Sequence, residues 1–247
     1  MSSRLKFHIT KKMKRLLIIA LLSIVSTTQA QSEKFDQVLK TYVDSKGNVN
    51  YQGLKKDQKA LNDYLIYLEN TSPLKNWSEY KEKAFWINAY NAYTLKIILD
   101  NHPLKSITDI SNKGKTAWKT SFAKVGGKTY TLDDIEHEIL RKKFKDPKIH
   151  VGVNCASISC PKLANFAFTE ENIETELETL MKDFINDSTR NKLDSKKIQI
   201  SEIFNWFKDD FTSDGTVIDY INQYSETKVN KKARIKYLNY NWSLNGK

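Results

Sequence analysis

The sequence is poor in the residues that build cross-linked or irregular proteins. Its 247 residues include two cysteines, four prolines and eight glycines, which excludes a disulfide-rich scaffold and a collagen-like or low-complexity chain. Two cysteines and four histidines leave few ligands for a metal centre. Hydrophobic residues make up 40% and charged residues 28% of the chain, which is typical of a globular protein with a real core.

Acidic residues are missing from the first thirty positions, which hold six basic residues. An apolar run over 16–25 follows, and small residues end at Ala30, as in a secretory signal peptide. The run is shorter than the roughly 20 residues that span a bilayer. We expect a signal peptide over 1–30 and one exported domain over 31–247, periplasmic or secreted, without a stable membrane span. Translation could alternatively start at Met13. The alternative to a cleaved signal peptide is that this leader segment stays attached as an N-terminal membrane anchor.

The formal charge of +11 is concentrated in that leader. Without its six basic residues, 34 basic and 29 acidic residues remain, a balance of +5. This modest charge gives no reason to expect a nucleic-acid partner. Export would also place both cysteines where disulfides form.

Hydrophobic periodicity predicts a helix-rich α+β domain. The segments predicted as helices are 33–43, 54–69, 82–100, 131–144, 169–185, 201–211 and 217–224. Gly126 and Gly127 predict the tight turn of a hairpin, and further strands are predicted at 149–153, at 196–200 and from Arg234. Because helices and strands do not alternate regularly, we expect a small, mainly antiparallel sheet.

The helix over 82–100 is apolar on every side, which is typical of a central, buried helix. Asn88 and Asn91 lie three residues apart on one stripe of it. A buried amide needs partners, because an unpaired one costs about 1–3 kcal/mol. These asparagines therefore hold a loop backbone, a catalytic side chain or a ligand, and bracing of a loop is the simplest of the three.

The helix over 131–144 carries polar side chains on a face that also holds Leu140. Because an apolar residue there suggests that this face is covered, Glu136, His137 and Arg141 could line a cleft. The alternative is a solvated face with ordinary i,i+4 ion pairs.

Residues 146–163 gather the rarest side chains. The candidates for chemistry in this stretch are His150, Asn154, Cys155 and Cys160. A small-residue loop follows the predicted strand over 149–153, and small residues allow a tight bend and close approach of other groups.

Five segments together resemble the domain-of-unknown-function 547 family. They are AFWINAYN (84–91), LDDIEHEILR (132–141), DPKIH (146–150), NCASISCP (154–161) and YLNYNWSL (237–244). The resemblance implies one compact domain over 31–247, and it implies no reaction. It places the candidate residues on motif positions, namely Asn88, Asn91, Glu136, His137, Arg141, His150, Cys155 and Cys160. Lys148 departs from the pattern, where arginine is expected more often.

One hypothesis is a cysteine-dependent hydrolase or acyltransferase that acts on peptide or cell-wall amides. A thiolate attacks a carbonyl when its environment lowers its pKa. The catalytic candidates are Cys155, His150, His137, Glu136 and Asn154. The binding candidates are Asn88, Asn91, Arg141 and Cys160. The partner would be a small molecule or peptide, and no cofactor is expected.

The alternative is a binding module in which Cys155 and Cys160 form a structural disulfide. A bridge over so short a loop adds on the order of 2 kcal/mol. Zinc is a weaker hypothesis, because the spacing of the two cysteines with His137 and His150 matches no common module. A serine nucleophile at Ser157 or Ser159 is weaker still, since neither lies in a Gly-x-Ser-x-Gly context.

Overall fold

A computed structural model describes residues 33–247. The predicted signal peptide and the alternative start at Met13 lie outside the described residues. The α+β fold is confirmed for the described chain, with helices predominating and the strands confined to small sheets. The longer helices match the predicted segments to within a few residues, apart from two regions described below.

The helices and strands follow one another along the chain. The α-helices are α1 (33–42), α2 (Tyr51–Lys56), α3 (Lys59–Glu69), α4 (Glu79–Asn101), α5 (Ile149–Gly152), α6 (Ile173–Asn186), α7 (Ile203–Trp206), α8 (Lys208–Phe211) and α9 (Val217–Tyr224). A π-helix spans Asp134–Phe144, and 3₁₀ turns span Ile107–Asp109 and Ala117–Lys119. The strands are β1 (Ser111–Asn112), β2 (Lys115–Thr116), β3 (Ala123–Val125), β4 (Lys128–Tyr130), β5 (Lys197–Ile200) and β6 (Arg234–Tyr237).

Helix α4 forms the centre of the fold. Its N-cap Ser78 accepts a hydrogen bond from the backbone N–H of Lys81, and such caps satisfy N–H groups that a helix start leaves unpaired. The helix is buried on every side from Lys83 to Leu99, apart from the half-buried Lys96, as its all-round apolar sequence predicts. α2, α3, α6 and the π-helix pack around it. This arrangement places the two helical motif segments side by side.

Three separate two-stranded sheets lie around the helices. β1–β2 and β3–β4 are antiparallel, and Gly126 and Gly127 make the predicted turn of the second with φ of +56° and +75°. β5 and β6 pair in parallel, with Ile198 opposite Ile235. The chain beyond β6 returns to the core, because Ile158 N–H donates to the carbonyl of Ser243.

The predicted strand over 149–153 is wrong, since this segment forms α5. Asp146 accepts a hydrogen bond from Lys148 N–H, and His150 N–H donates to the carbonyl of Pro147. This Asx turn starts a helix before any strand partner is reached. An added Cβ at Gly152 would lie 2.9 Å from a methyl of Leu177, so α5 packs closely against α6.

The predicted helix over 54–69 is divided into α2 and α3. Asn50 caps α2 by accepting from Gly53 N–H, and α2 ends with Asp57 as its C-cap. Local caps therefore override the continuous apolar pattern. No helix in the described part of the chain is both long enough and apolar enough to cross a membrane.

Candidate functional site

A cavity of about 210 Å³ lies where α4 and the π-helix meet two loops. One is the cysteine loop, residues 155–160, and the other is the C-terminal segment, residues 238–247. Its lining combines thiols, titratable groups and aromatic rings: Tyr90, Trp118, Asp133, Glu136, His137, His150, Val153, Cys155, Cys160, Ile203, Trp206, Phe207, Tyr240 and Trp242. Five of the nine predicted site residues therefore share one cavity.

The thiol of Cys155 is half-buried and lies within a hydrogen-bonded group. Its Sγ is 3.2 Å from Ser157 Oγ and 3.2 Å from Tyr240 Oη. Ser157 donates to Tyr240 Oη at 3.0 Å, which leaves the tyrosine proton directed to the sulfur. The Cys160 thiol lowers the pKa of Cys155 by hydrogen bonding, burial opposes this, and Ser157 and Tyr240 lower it further. Thiolate character is what makes a cysteine nucleophilic.

Cys160 is the buried member of the pair. Both cysteines are free thiols, and the backbone N–H of Cys155 donates to Cys160 Sγ at 3.1 Å. Burial raises the pKa of Cys160 well above its ordinary value, and its hydrogen bond to Cys155 raises it further. The two thiols are therefore unequal, since the more accessible one ionises first.

The loop between the thiols is held in an unusual backbone conformation. Ala156 has φ of +58°, in a region that residues with a Cβ rarely adopt. Its N–H donates to Asn154 Oδ1 and its carbonyl accepts from Asn245 N–H. This turn brings Ser157 back beside the sulfur of Cys155.

His150 is buried and is held by Asp210. Its Nε2 lies 2.7 Å from Asp210 Oδ2, and its ring stacks on Phe207 with centroids 4.2 Å apart. Arg141 binds both oxygens of the same carboxylate, at 2.6 and 3.0 Å. Partial burial opposes ionisation of Asp210, but the hydrogen bonds from His150 and Arg141 outweigh it and lower its pKa.

The predicted direct pairing of cysteine and histidine is not formed among the described residues. His150 bonds to Asp210, and the polar contacts of Cys155 are with Ser157, Tyr240 and Cys160. Cys155 and His150 instead line the same cavity. A molecule that fills this cavity would contact both groups.

His137 and Arg141 lie on the π-helix. The sequence predicts that their face is covered, because Leu140 shares it. His137 is partly exposed, with Nδ1 3.3 Å from Arg141 and Nε2 3.8 Å from Asp133. Arg141 does not line the cavity, since its guanidinium is engaged by Asp210 and lies over Phe207. Arg141 therefore positions the Asp210–His150 pair.

The predicted asparagines brace backbone. Asn88 exchanges two hydrogen bonds with the backbone of Phe168. Asn91 donates to the carbonyl of Gly152 and accepts from Asn154 N–H. Asn154 donates to the carbonyl of Pro161 and accepts from Ala156 N–H. All three amides therefore bond to loop backbone, which is the simplest of the predicted roles for Asn88 and Asn91. None of the three lines the cavity.

Sequence reasoning missed Asp210, Tyr240 and the three tryptophans of the cavity. Asp210 lies in a segment rich in aromatic residues, 201–211. The only sequence feature that distinguishes it is the adjacent Asp209, with which it forms an acidic pair. Tyr240 and Trp242 belong to the C-terminal motif segment YLNYNWSL (237–244), and this membership is the only sequence signal for them. In residues 33–247, no group of three or more His, Cys, Asp or Glu side chains is arranged to hold a metal ion.

These features define a helix-rich α+β domain with a thiol-containing aromatic cavity. Residues 74–185 match the family model described as "Protein of unknown function, DUF547", which supports the resemblance drawn from the motifs. The matched range contains α4, the π-helix and the cysteine loop, whereas Asp210 and Tyr240 lie beyond it. No curated protein and no solved structure matches the chain.

Proposed function

We propose that the protein is an exported thiol-dependent acyl hydrolase or acyltransferase, with Cys155 as the nucleophile and His150 as the acid–base group. The observation that carries this proposal is one cavity lined by a thiol of lowered pKa and by a histidine held by a carboxylate. Substrates would be peptide or cell-wall amides, reached in the periplasm or outside the cell.

The reaction would proceed in two steps. The Cys155 thiolate attacks the substrate carbonyl carbon, and the carbon–nitrogen bond breaks as protonated His150 gives its proton to the leaving amine. The products are a thioester on Cys155 and a free amine. Neutral His150 then takes a proton from water or an acceptor amine, which attacks the thioester and releases the acyl group. Asp210 holds the imidazole in position through its contact with Nε2.

Acyl transfer from p-nitrophenyl acetate tests this proposal. Because p-nitrophenolate needs no protonation to leave, acetylation should need Cys155 alone, whereas deacetylation should need His150. We expect Cys155→Ser to abolish acetylation. We expect His150→Gln to become acetylated on Cys155 and to lose the acetyl group about 100-fold more slowly. Intact mass and peptide mapping locate the group.

His102→Gln is the matched control, because His102 is the C-cap of α4 and does not line the cavity. Thermal unfolding verifies that each variant folds. The proposal is overturned if Cys155→Ser retains the acetylation rate of the wild type. It is also overturned if folded His150→Gln deacetylates at the rate of the His102→Gln control.

The alternative function is a binding module with a structural disulfide. The contact between the backbone of Cys155 and the sulfur of Cys160 favours it, because it holds the two cysteines together. In that case Cys155 would not be a resting nucleophile. Thiol titration separates the two functions.

A further inference from the structure

Glu136 has no role in the proposed acyl transfer, although it is the most buried acidic residue of the cavity. Its side chain belongs to a residue that is only 7% exposed and lines the cavity. Within residues 33–247 its carboxylate forms no salt bridge, whereas the neighbouring Glu138 pairs with Lys142. Tyr90 hydrogen-bonds to this carboxylate but carries no positive charge. A buried carboxylate without an ion-pair partner is costly, so a cationic ligand would stabilise it.

The basic groups near Glu136 are already engaged. Arg141 donates from Nε and Nη2 to the two oxygens of Asp210, and its Nη1 lies 3.3 Å from His137 Nδ1. His137 lies within ion-pair distance of Asp133, and Asp133 also lines the cavity. Two carboxylates therefore face the cavity, and no lysine or arginine lines it.

Aromatic rings form much of the remaining lining of the cavity. Trp206 stacks on Trp242 with centroids 5.8 Å apart and planes 17° apart, and Tyr240 lies 4.5 Å from Trp242. Trp118 meets Trp242 edge-on at 5.5 Å. Trp206 is 46% exposed, so the cluster is accessible from solvent. Tryptophan and tyrosine rings attract cations electrostatically, by about 0.5–2 kcal/mol for each well-placed contact.

From these contacts we infer that the cavity binds an ammonium group, with Glu136 as its counter-ion and the rings of Trp206, Tyr240 and Trp242 around it. As a substrate subsite this inference rests on the proposed function. It restricts the substrate class to acyl compounds that carry a primary amine close to the scissile carbonyl, such as amino-acid and peptide amides.

The position of Glu136 also couples the subsite to the nucleophile. The negative charge of Glu136 acts against the thiolate of Cys155 and raises the pKa of this thiol. A bound ammonium would neutralise that charge. Binding of the correct substrate would therefore favour the reactive form of Cys155.

Titration with n-butylammonium and with n-butanol, its neutral analogue, tests the inference. The readout is the indole N–H resonances of the five tryptophans. Trp118, Trp206 and Trp242 line the cavity, whereas Trp77 and Trp86 do not and serve as internal references. We expect butylammonium to shift the indole resonances of these three cavity tryptophans at a concentration about tenfold lower than butanol requires.

Glu136→Gln should remove this preference, because it keeps the shape and loses the charge. Glu138→Gln is the matched control, since Glu138 is exposed on the same helix, and it should keep the preference. The inference is overturned if both probes act at equal concentration on the wild type, or if folded Glu136→Gln still prefers butylammonium. Cys155→Ser should bind butylammonium as the wild type does, so loss of acyl transfer and loss of ammonium binding are separate results.

Discussion

His150 Nε2 and Asp210 Oδ2 lie 2.7 Å apart although 60 residues separate them in sequence. The contact joins α5, beside the cysteine loop, to α8. Arg141 binds the same carboxylate from the π-helix. Asp210 thus joins α8 to two elements that lie about 60 residues earlier in the chain, and the position of His150 depends on this contact.

Asp210→Asn should destabilise the fold at neutral pH by about 1–3 kcal/mol, because His150 and Arg141 lose their charged partner. The folded-state pKa of Asp210 lies below that of an unfolded aspartate, which is about 3.9. Its contribution is therefore complete above that value and is lost as the pH falls through the folded-state pKa. The difference in unfolding free energy between wild type and variant should shrink below about pH 4.

Denaturant unfolding from pH 7 to pH 3 measures this difference. Asp209→Asn is the matched control, since Asp209 is the exposed neighbour on α8, and it should change stability by less than about 0.5 kcal/mol. A deficit for Asp210→Asn that stays constant down to pH 3 would contradict the role of the charge.

Tyr240→Phe should raise the pKa of Cys155, because it removes a hydrogen bond to the thiolate. The rate of alkylation by iodoacetamide as a function of pH reports this pKa. In the wild type the midpoint should lie below the usual thiol value of about 8.5, and Cys160 should react far more slowly. Tyr237→Phe, in the same C-terminal segment, should leave the midpoint unchanged; an equal shift in both variants would refute the assignment.

Oxidation of the purified protein with diamide should remove both thiols together, and reduction should restore both. Bridging of Cys155 and Cys160 should raise stability by no more than about 2 kcal/mol, since the enclosed loop is short. It should also block alkylation of Cys155. In the Cys160→Ser variant no bridge can form within one molecule. After diamide treatment, its Cys155 should either still react with an alkylating agent or link two molecules through a disulfide. A bridge that persists in an acyl-transferring preparation would exclude Cys155 as the nucleophile.

Asn91→Ala should cost about 2–4 kcal/mol of unfolding free energy, because it leaves the carbonyl of Gly152 and the N–H of Asn154 without partners. Asn101→Ala is the control. Asn101 lies at the exposed end of α4 and bonds only to the carbonyl of Ile97, so its loss should cost less than about 1 kcal/mol. Equal losses in the two variants would show that Asn91 does not brace the cysteine loop.

The sequence predicts those parts of the fold in which one local signal acts alone. The all-round apolar pattern predicts the burial of α4, and Gly126 with Gly127 predicts the hairpin. Thr131 and Asp134 exchange capping hydrogen bonds where the predicted helix over 131–144 begins. Local chemistry also explains the failure at 149–153, where β-branched residues favour a strand but the turn at Asp146 starts a helix.

The sequence predicts those residues of the candidate site that a local signal marks. Cys155, His150 and Glu136 are rare or unusually placed residues, so composition and periodicity select them. Asp210 and Tyr240 are ordinary residue types in sequence, and their roles arise only when distant segments meet. The sequence predicts that Asn88 and Asn91 are buried and need hydrogen-bond partners. It does not show whether those partners belong to a ligand or to the protein backbone.

The π-helix over Asp134–Phe144 sets which change of length this segment can accommodate. Residues five apart share a face of a π-helix, and Glu136 and Arg141 are five apart. Because residues four apart share a face of an ordinary α-helix, deletion of one residue between them would keep both on one face while the segment becomes α-helical. Deletion of two residues would separate them. In related sequences with the same cavity, alignments should therefore show no gap or a gap of one residue between these two positions, and a gap of one should mark an ordinary α-helix.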